Sequence, residues 1–214
     1  MLRLLVADDH EIVRRGLQAL LKTQPGWEVS AEAVDGRDAV EKAKVLRPDI
    51  VIMDLAMPEL NGLEATRQIR KILPDTEVII LTMHESEQVV REVLDAGARG
   101  YILKSDAGRD LIAAVESVNR KVPFFTSKVA ALVLDAYLNG RGGSGSEDRR
   151  RLSPREREIL QMLAEGRSSK EVAIKLGISV KSAETHRSNI MRKLDLHSIS
   201  DLVRYAIRNK IVEP

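Results

Sequence analysis

Ile50-Val-Ile-Met-Asp54-Leu-Ala-Met-Pro58-Glu-Leu-Asn-Gly62 is the stretch that decides the fold. Four apolar residues in a row, three of them β-branched, read as a strand buried on both faces. The run ends in a carboxylate, Asp54, followed by a segment with the Pro and Gly of a turn. A charged group at the end of a buried strand directs attention to what else lies at that end.

Similar apolar runs flank it. LRLLVA, EVSAEAV, EVIILT and GYILK read as four more strands. Helical patterns lie between them. Ile12, Val13, Leu17, Leu20 and Leu21 fall on one face of the first helix, and Leu111, Ala114, Val115 and Val118 on one face of the fifth. Five strand–helix pairs in about 120 residues predict an α/β domain, a doubly wound five-stranded parallel sheet with helices on both faces. In such sheets functional residues gather at the carboxyl ends of the strands.

Those ends are marked by polar residues. Asp8 and Asp9 follow the first strand, Asp54 ends the third, Thr82 the fourth and Lys104 the fifth. Three converging carboxylates repel one another unless a cation neutralises them, and oxygen-only ligands suit Mg²⁺. A carboxylate beside Mg²⁺ can attack a phosphoryl group to give an aspartyl phosphate. A lysine then neutralises the phosphoryl oxygens. Taken singly, each of these side chains is more simply a surface acid, a surface lysine or a strand-end hydroxyl. Their convergence favours chemistry.

Asp8-Asp9, Asp54 in DLAMPELNG, Thr82 in VIILTMH and Lys104 in GYILKSD resemble, in order and spacing, the receiver domain of two-component response regulators. The resemblance implies a flavodoxin-like fold in which Asp54 accepts a phosphoryl group from a sensor histidine kinase. It implies Mg²⁺ held by Asp9, Asp54 and the backbone carbonyl of Ala56, with Asp8 acting through water. Lys104 contacts the phosphoryl group, and Thr82 and Tyr101 form the switch pair. Pro58 and Gly62 match the pattern as well, with an expected role in backbone geometry, since Pro fixes φ and Gly frees it. Met83 departs from it, being larger than the small residue many receivers carry there.

The back half has a different character. The segment from Asn139 to Arg151 holds four glycines, two serines and no apolar residue, the composition of a flexible linker. A further helix is expected between Ser127 and this linker. Beyond it, helical patterns cover about Pro154–Glu165, Ser169–Leu176, Val180–Leu194 and Ile199–Asn209. The turn Gly177-Ile-Ser179 between the second and third of these suggests a helix–turn–helix. On the longer helix Ala183, His186, Ile190 and Leu194 are expected inward. Lys181, Glu184, Thr185, Ser188 and Arg192 form the outward stripe.

LSPREREILQMLAEGRSSKEVAIKLGISVKSAETHRSNIMRKL resembles the LuxR-type helix–turn–helix domain, with Ser182-Ala183 where that pattern usually has Thr-Val. The two resemblances together point to the NarL/FixJ class of response regulators. They imply a receiver at 1–121, a linker helix and Gly/Ser linker at 122–151, and a four-helix, all-α DNA-binding domain at 152–214. Glu184, Thr185 and Ser188 would face base edges, while Lys181, Arg187, Arg192 and Lys193 would contact phosphates. The expected partners are double-stranded promoter DNA, a sensor histidine kinase and a second copy of the chain, as a homodimer on phosphorylation or DNA binding.

Composition agrees and excludes alternatives. Residues 1–139 carry 18 Lys/Arg against 22 Asp/Glu, a net −4, and residues 140–214 carry 16 against 10, a net +6. A basic back half faces a polyanion. The chain has no cysteine, so thiolate metal sites and thiol nucleophiles are excluded. Its four histidines are not spaced as a zinc site. Six aromatic residues are too few for a base-stacking platform. No apolar run reaches the roughly 18 residues of a membrane span, and MLRLLVADDH is too short in its apolar part for a signal peptide. A cytoplasmic location without membrane partners is the expectation. A phosphohydrolase would place a second acid two residues after its nucleophile; here Leu55 and Ala56 follow Asp54, so no catalytic turnover beyond Mg²⁺-dependent phosphorylation and dephosphorylation of Asp54 is expected.

Overall fold

The computed structural model describes residues 1–83, 86–126, 129–131, 152–209 and 211–212. Contacts divide the chain into two compact units, Met1–Arg141 and Gly142–Pro214.

In the first unit, strands β1 (Leu2–Ala7), β2 (Trp27–Ala33), β3 (Ile50–Asp54), β4 (Glu77–Thr82) and β5 (Gly100–Leu103) alternate with helices α1 (Glu11–Leu21), α2 (Gly36–Leu46), α3 (Gly62–Ile72), α4 (Glu87–Asp95) and α5 (Ala107–Asn119). The sheet is parallel, in the order β2-β1-β3-β4-β5-β6. The sixth strand, β6 (Phe124–Phe125), corrects the expected count of five. It adds Phe124 and Phe125 beside Gly100 and Tyr101 of β5. Two residues are too few to show an alternation in sequence.

Alternate residues of each buried strand feed opposite layers. Leu5, Ala7, Val51, Met53, Val78 and Ile80 pack with residues of α2, α3 and α4. Leu4, Val6, Ile50, Ile52, Ile79 and Leu81 pack with residues of α1 and α5. This doubly covered sheet is why the strands read as continuous apolar runs rather than alternating ones. The expected face of α5 is buried throughout. On α1, Leu17 and Leu21 are buried, but Ile12 is 86% exposed, outside the stripe to which it was assigned. It lies in the first turn, next to the polar rim, where no neighbouring layer covers it.

The helix expected after Ser127 falls outside the described residues except for 129–131, which are helical, with Val129 buried in the α2–α4 layer. The linker from Asn139 to Arg151 also lies outside them.

The second unit comprises α6 (Pro154–Ala164), α7 (Ser169–Leu176), α8 (Val180–Leu194) and α9 (Ile199–Arg208). Sequence chemistry sets each boundary. Ser153 with Glu156, and Ser168 with Glu171, form reciprocal capping boxes at α6 and α7. Gly177 ends α7 at φ +62, and Ser179 opens α8 by accepting a hydrogen bond from the Ser182 N–H. Ile159, Leu160, Leu163, Val172, Ile190 and Leu202 are central to its core.

Candidate functional site

The carboxyl ends of β1, β3, β4 and β5 form one rim of the first unit. Asp8, Asp54 and Thr82 are buried there, Asp9 is exposed, and Lys104 begins the short 3₁₀ turn after β5. The strand-end placement thus brings together the residues singled out in the sequence.

Charge organises the pocket. The Lys104 ammonium lies 2.8 Å from Oδ2 of Asp54 and 2.8 Å from Oδ2 of Asp8. Asp54 Oδ1 accepts a hydrogen bond from the Leu55 N–H at 2.8 Å. Burial pushes the Asp54 carboxyl up to about 6, and Lys104 only partly offsets it. Burial acts against the Lys104 ammonium too, but Asp54 and Asp8 outweigh it and hold the lysine above its ordinary value.

Oxygen or nitrogen atoms of Asp8, Asp9, His10 and Asp54 all lie within 4.8 Å of one another. Three carboxylates against one ammonium leave two negative charges, the amount one divalent cation neutralises. Asp8 is buried, with Oδ1 accepting from the His10 N–H and Oδ2 paired with Lys104. A carboxylate-rich donor set that keeps a net negative charge fits Mg²⁺. Ala56 stands two residues past Asp54 in the following loop and is partly buried.

Thr82 pairs with Leu103 across β4 and β5, and its side chain is 1% exposed. Tyr101 is fully buried in the α2–α4 layer. Its ring is packed inward in that layer.

The backbone supporting the pocket uses residues the sequence reading missed. Arg14 on α1 is 8% exposed. It donates to the Asp8 carbonyl at 2.8 Å and to Glu32 at 3.2 Å, while Gln18 holds the other oxygen of Glu32 at 2.6 Å. The signal was an arginine on the inner side of an amphipathic helix, where a cation requires a partner. Gly62 has a different role from the one expected. Its φ is not positive; instead, a Cβ there would overlap the Asp54 carbonyl. The positive φ in this loop belongs to Glu59, at +67. The glycine is needed for close approach to the backbone of the phosphoacceptor candidate.

In the second unit α7 and α8 form the helix–turn–helix. Ala183 and Ile190 are buried, and His186 and Leu194 half-buried, as expected of the inner face. The small Ala183 is 1% exposed and packs in the core. Lys181, Glu184, Thr185, Arg187, Ser188 and Arg192 are exposed together. Two candidates have internal partners: the Thr185 hydroxyl donates to the Lys181 carbonyl at 2.8 Å, and Lys193 pairs with Glu156 at 2.9 Å. Burial opposes ionisation of Glu156, but Lys193 and the Ser153 backbone and hydroxyl hold its carboxyl below the usual range.

Comparison with known proteins bears on both units. Residues 4–116 match the response regulator receiver domain, and residues 150–206 match the bacterial regulatory proteins of the luxR family. The chain belongs to the response regulators. It is 40% identical to oxygen regulatory protein NreC of Staphylococcus carnosus (strain TM300) over 216 residues, covering 99% of this chain and all of that protein. It is also 40% identical to transcriptional regulatory protein LiaR of Bacillus subtilis (strain 168) over 212 residues, with the same coverage. Among solved structures, a LuxR-family two-component response regulator from Aurantimonas sp. SI85-9A1 has 34% identity and a TM-score of 0.61, covering 64% of this chain and 97% of that one. RcsB of Salmonella enterica serovar Typhimurium, bound to promoter rprA with the phosphomimetic BeF₃⁻, has 28% identity and a TM-score of 0.63, covering 95% and 97%.

This response regulator therefore combines a receiver with a LuxR-type DNA-binding domain, the arrangement of a two-component transcriptional regulator of the NarL/FixJ class. Its family is one of transcription regulators rather than turnover enzymes. No helix among the described residues is long and apolar enough to cross a membrane.

Proposed function

We propose that Asp54 is the phosphoacceptor of this regulator and that its phosphorylation controls DNA binding by α8. The reading rests above all on Lys104, whose ammonium spans Asp54 and Asp8 at 2.8 Å each in a pocket otherwise dominated by carboxylates.

Asp9, Asp54 and the Ala56 carbonyl would hold Mg²⁺, with Asp8 acting through water. The ion, when bound, withdraws charge from the phosphoryl oxygens and from Asp54. An oxygen of Asp54 attacks phosphorus, the bond to the kinase histidine nitrogen breaks, and the imidazole leaves with the bonding pair. Lys104 exchanges its contact with the Asp54 carboxylate for one with a phosphoryl oxygen. Thr82 donates its hydroxyl to another oxygen, and Tyr101 packs behind it as its switch partner. The reaction ends at the aspartyl phosphate, which persists until water removes it.

The boundaries that serve this function are 1–121 for the receiver, 122–151 for the connection and 152–214 for the DNA-binding domain. On the DNA, Glu184, Thr185 and Ser188 read base edges, while Lys181, Arg187, Arg192 and Lys193 meet phosphates. Lys193 must then share its charge with Glu156. A homodimer formed on phosphorylation or on DNA places two copies of α8 about 34 Å apart, one helical turn. The location consistent with these partners is the cytoplasm.

Incubation with an acyl phosphate and Mg²⁺ tests the first step. Intact-mass measurement should show one added phosphoryl group on the wild type and none on Asp54→Asn. Label retained by the variant would place the acceptor elsewhere.

A further inference from the structure

We propose that Glu184 reads a cytosine in the major groove, so that each half-site bound by this regulator carries a C·G pair where this side chain meets the DNA. The inference rests on the reading of α8 as the DNA-reading helix and adds to it the base that is read.

Other acids of the second unit have cationic partners. Glu156 pairs with Lys193, Glu158 with Arg155 and Asp201 with Arg204. Glu184 has Lys181 and Arg187 three residues to either side, a spacing at which helical ion pairs form. It is exposed, and among the described residues it makes neither an ion pair nor a hydrogen bond. Its two oxygens are therefore open acceptors on the outward stripe of α8.

The neighbours on that stripe leave Glu184 a base pair of its own. Thr185 donates its hydroxyl to the Lys181 carbonyl at 2.8 Å. Ser188 is exposed and stands four residues after Glu184, on the same face and about 6 Å along the helix. That distance exceeds the roughly 3.4 Å between stacked base pairs, so the two side chains address different pairs.

Electrostatics selects the base. A carboxylate among phosphates is repelled, which lowers affinity for every duplex. The repulsion is offset only where the groove offers a hydrogen-bond donor, because a carboxylate can only accept. Guanine shows two acceptors on its major-groove edge, and thymine an acceptor and a methyl group, so both are rejected. Adenine shows its N6 amino group beside the N7 acceptor, which repels the second carboxylate oxygen. Cytosine shows its N4 amino group with no acceptor on its own edge, and it is the base that suits Glu184.

The test is selection of duplexes from a random library by the intact chain, phosphorylated with an acyl phosphate and Mg²⁺, followed by competition binding with single base changes in the selected site. Wild type, Glu184→Gln, Glu184→Ala and Ser188→Ala are compared. Gln and Ala are good helix formers on an exposed face, so α8 should be preserved. The wild type should select a cytosine in each half-site, and replacing that base should cost roughly fivefold or more in affinity. Glu184→Ala should remove the preference at that position while tightening binding to an unselected duplex, because a negative charge has left the interface. Glu184→Gln, whose amide both donates and accepts, should exchange cytosine for adenine at the same position. Ser188→Ala should leave the cytosine in place. An unchanged base preference in both Glu184 variants, or a change at a position that is not cytosine in the wild-type site, would overturn the inference while leaving α8 as the reading helix. DNA binding unaltered in every respect by the Glu184 variants, Ser188→Ala and Lys181→Ala alike would overturn the assignment of α8 itself.

Discussion

The Lys104 ammonium stands as close to Asp8 as to Asp54, 2.8 Å from an oxygen of each. It therefore partly neutralises two carboxylates and is positioned to follow whichever gains charge. Lys104→Ala removes that cation from a water-poor rim. Phosphorylation by an acyl phosphate at neutral pH should slow roughly 10²-fold, by the usual worth of a charge aimed at a transition state. Timed intact-mass measurements would check this, with far-ultraviolet circular dichroism confirming the fold.

The Asp54 carboxyl, raised by burial to about 6, should impose a pH profile. Only the carboxylate attacks phosphorus, so phosphorylation without a kinase should slow as pH falls and Asp54 takes up its proton. Stability runs the other way. The folded state holds the proton more firmly than the unfolded state, so this group's contribution is fully present below about pH 4 and is lost as pH rises through about 6. A rise from the ordinary carboxylate value to about 6 costs about 3 kcal/mol at pH 7. Asp54→Asn should accordingly be more stable than wild type in urea at pH 7, by up to that amount, and the gap should close towards pH 4.

Gly62→Ala tests the close approach behind Asp54. The added methyl would overlap the Asp54 carbonyl and press on the Met53 side chain. The obstacle is backbone, which yields poorly, and overpacking of this kind costs about 3 kcal/mol or more. Equilibrium urea unfolding should show the loss.

On the DNA-binding unit, Lys181→Ala should weaken binding to all duplexes alike and reduce the salt dependence by about one released counterion. Ser188→Ala and Thr185→Ala should alter base preference in selection from a random duplex library. The Thr185 hydroxyl already donates to the Lys181 carbonyl, so its effect should be the smaller of the two. Uniform weakening by all three variants would contradict the assigned face.

Much of this was legible in the sequence, for physical reasons. A strand covered on both faces must be apolar throughout, so β3 and β4 and the polar residues ending them stood out. Helical periodicity marked α6 through α9 to within a residue, at boundaries their caps then fix. What escaped was set by contacts distant in sequence. Arg14 serves Asp8, just past β1, and Glu32, on β2, and no local period announces that. Ile12 followed the helical period but lies beyond the edge of the layer that would bury it. Gly62 was correctly singled out but for the wrong reason, since only the fold reveals the carbonyl beside it. Phe124 and Phe125 were too short a run to announce β6.

The account's central claim is that the state of Asp54 governs DNA binding by α8. The most direct measurement is the affinity of the intact chain for a duplex selected from a random library, with and without acyl phosphate and Mg²⁺, at fixed salt. The wild type should bind at least tenfold more tightly when phosphorylated, and Asp54→Asn should bind at the lower affinity under both conditions. Equal affinity of the phosphorylated and unphosphorylated wild type would contradict the account.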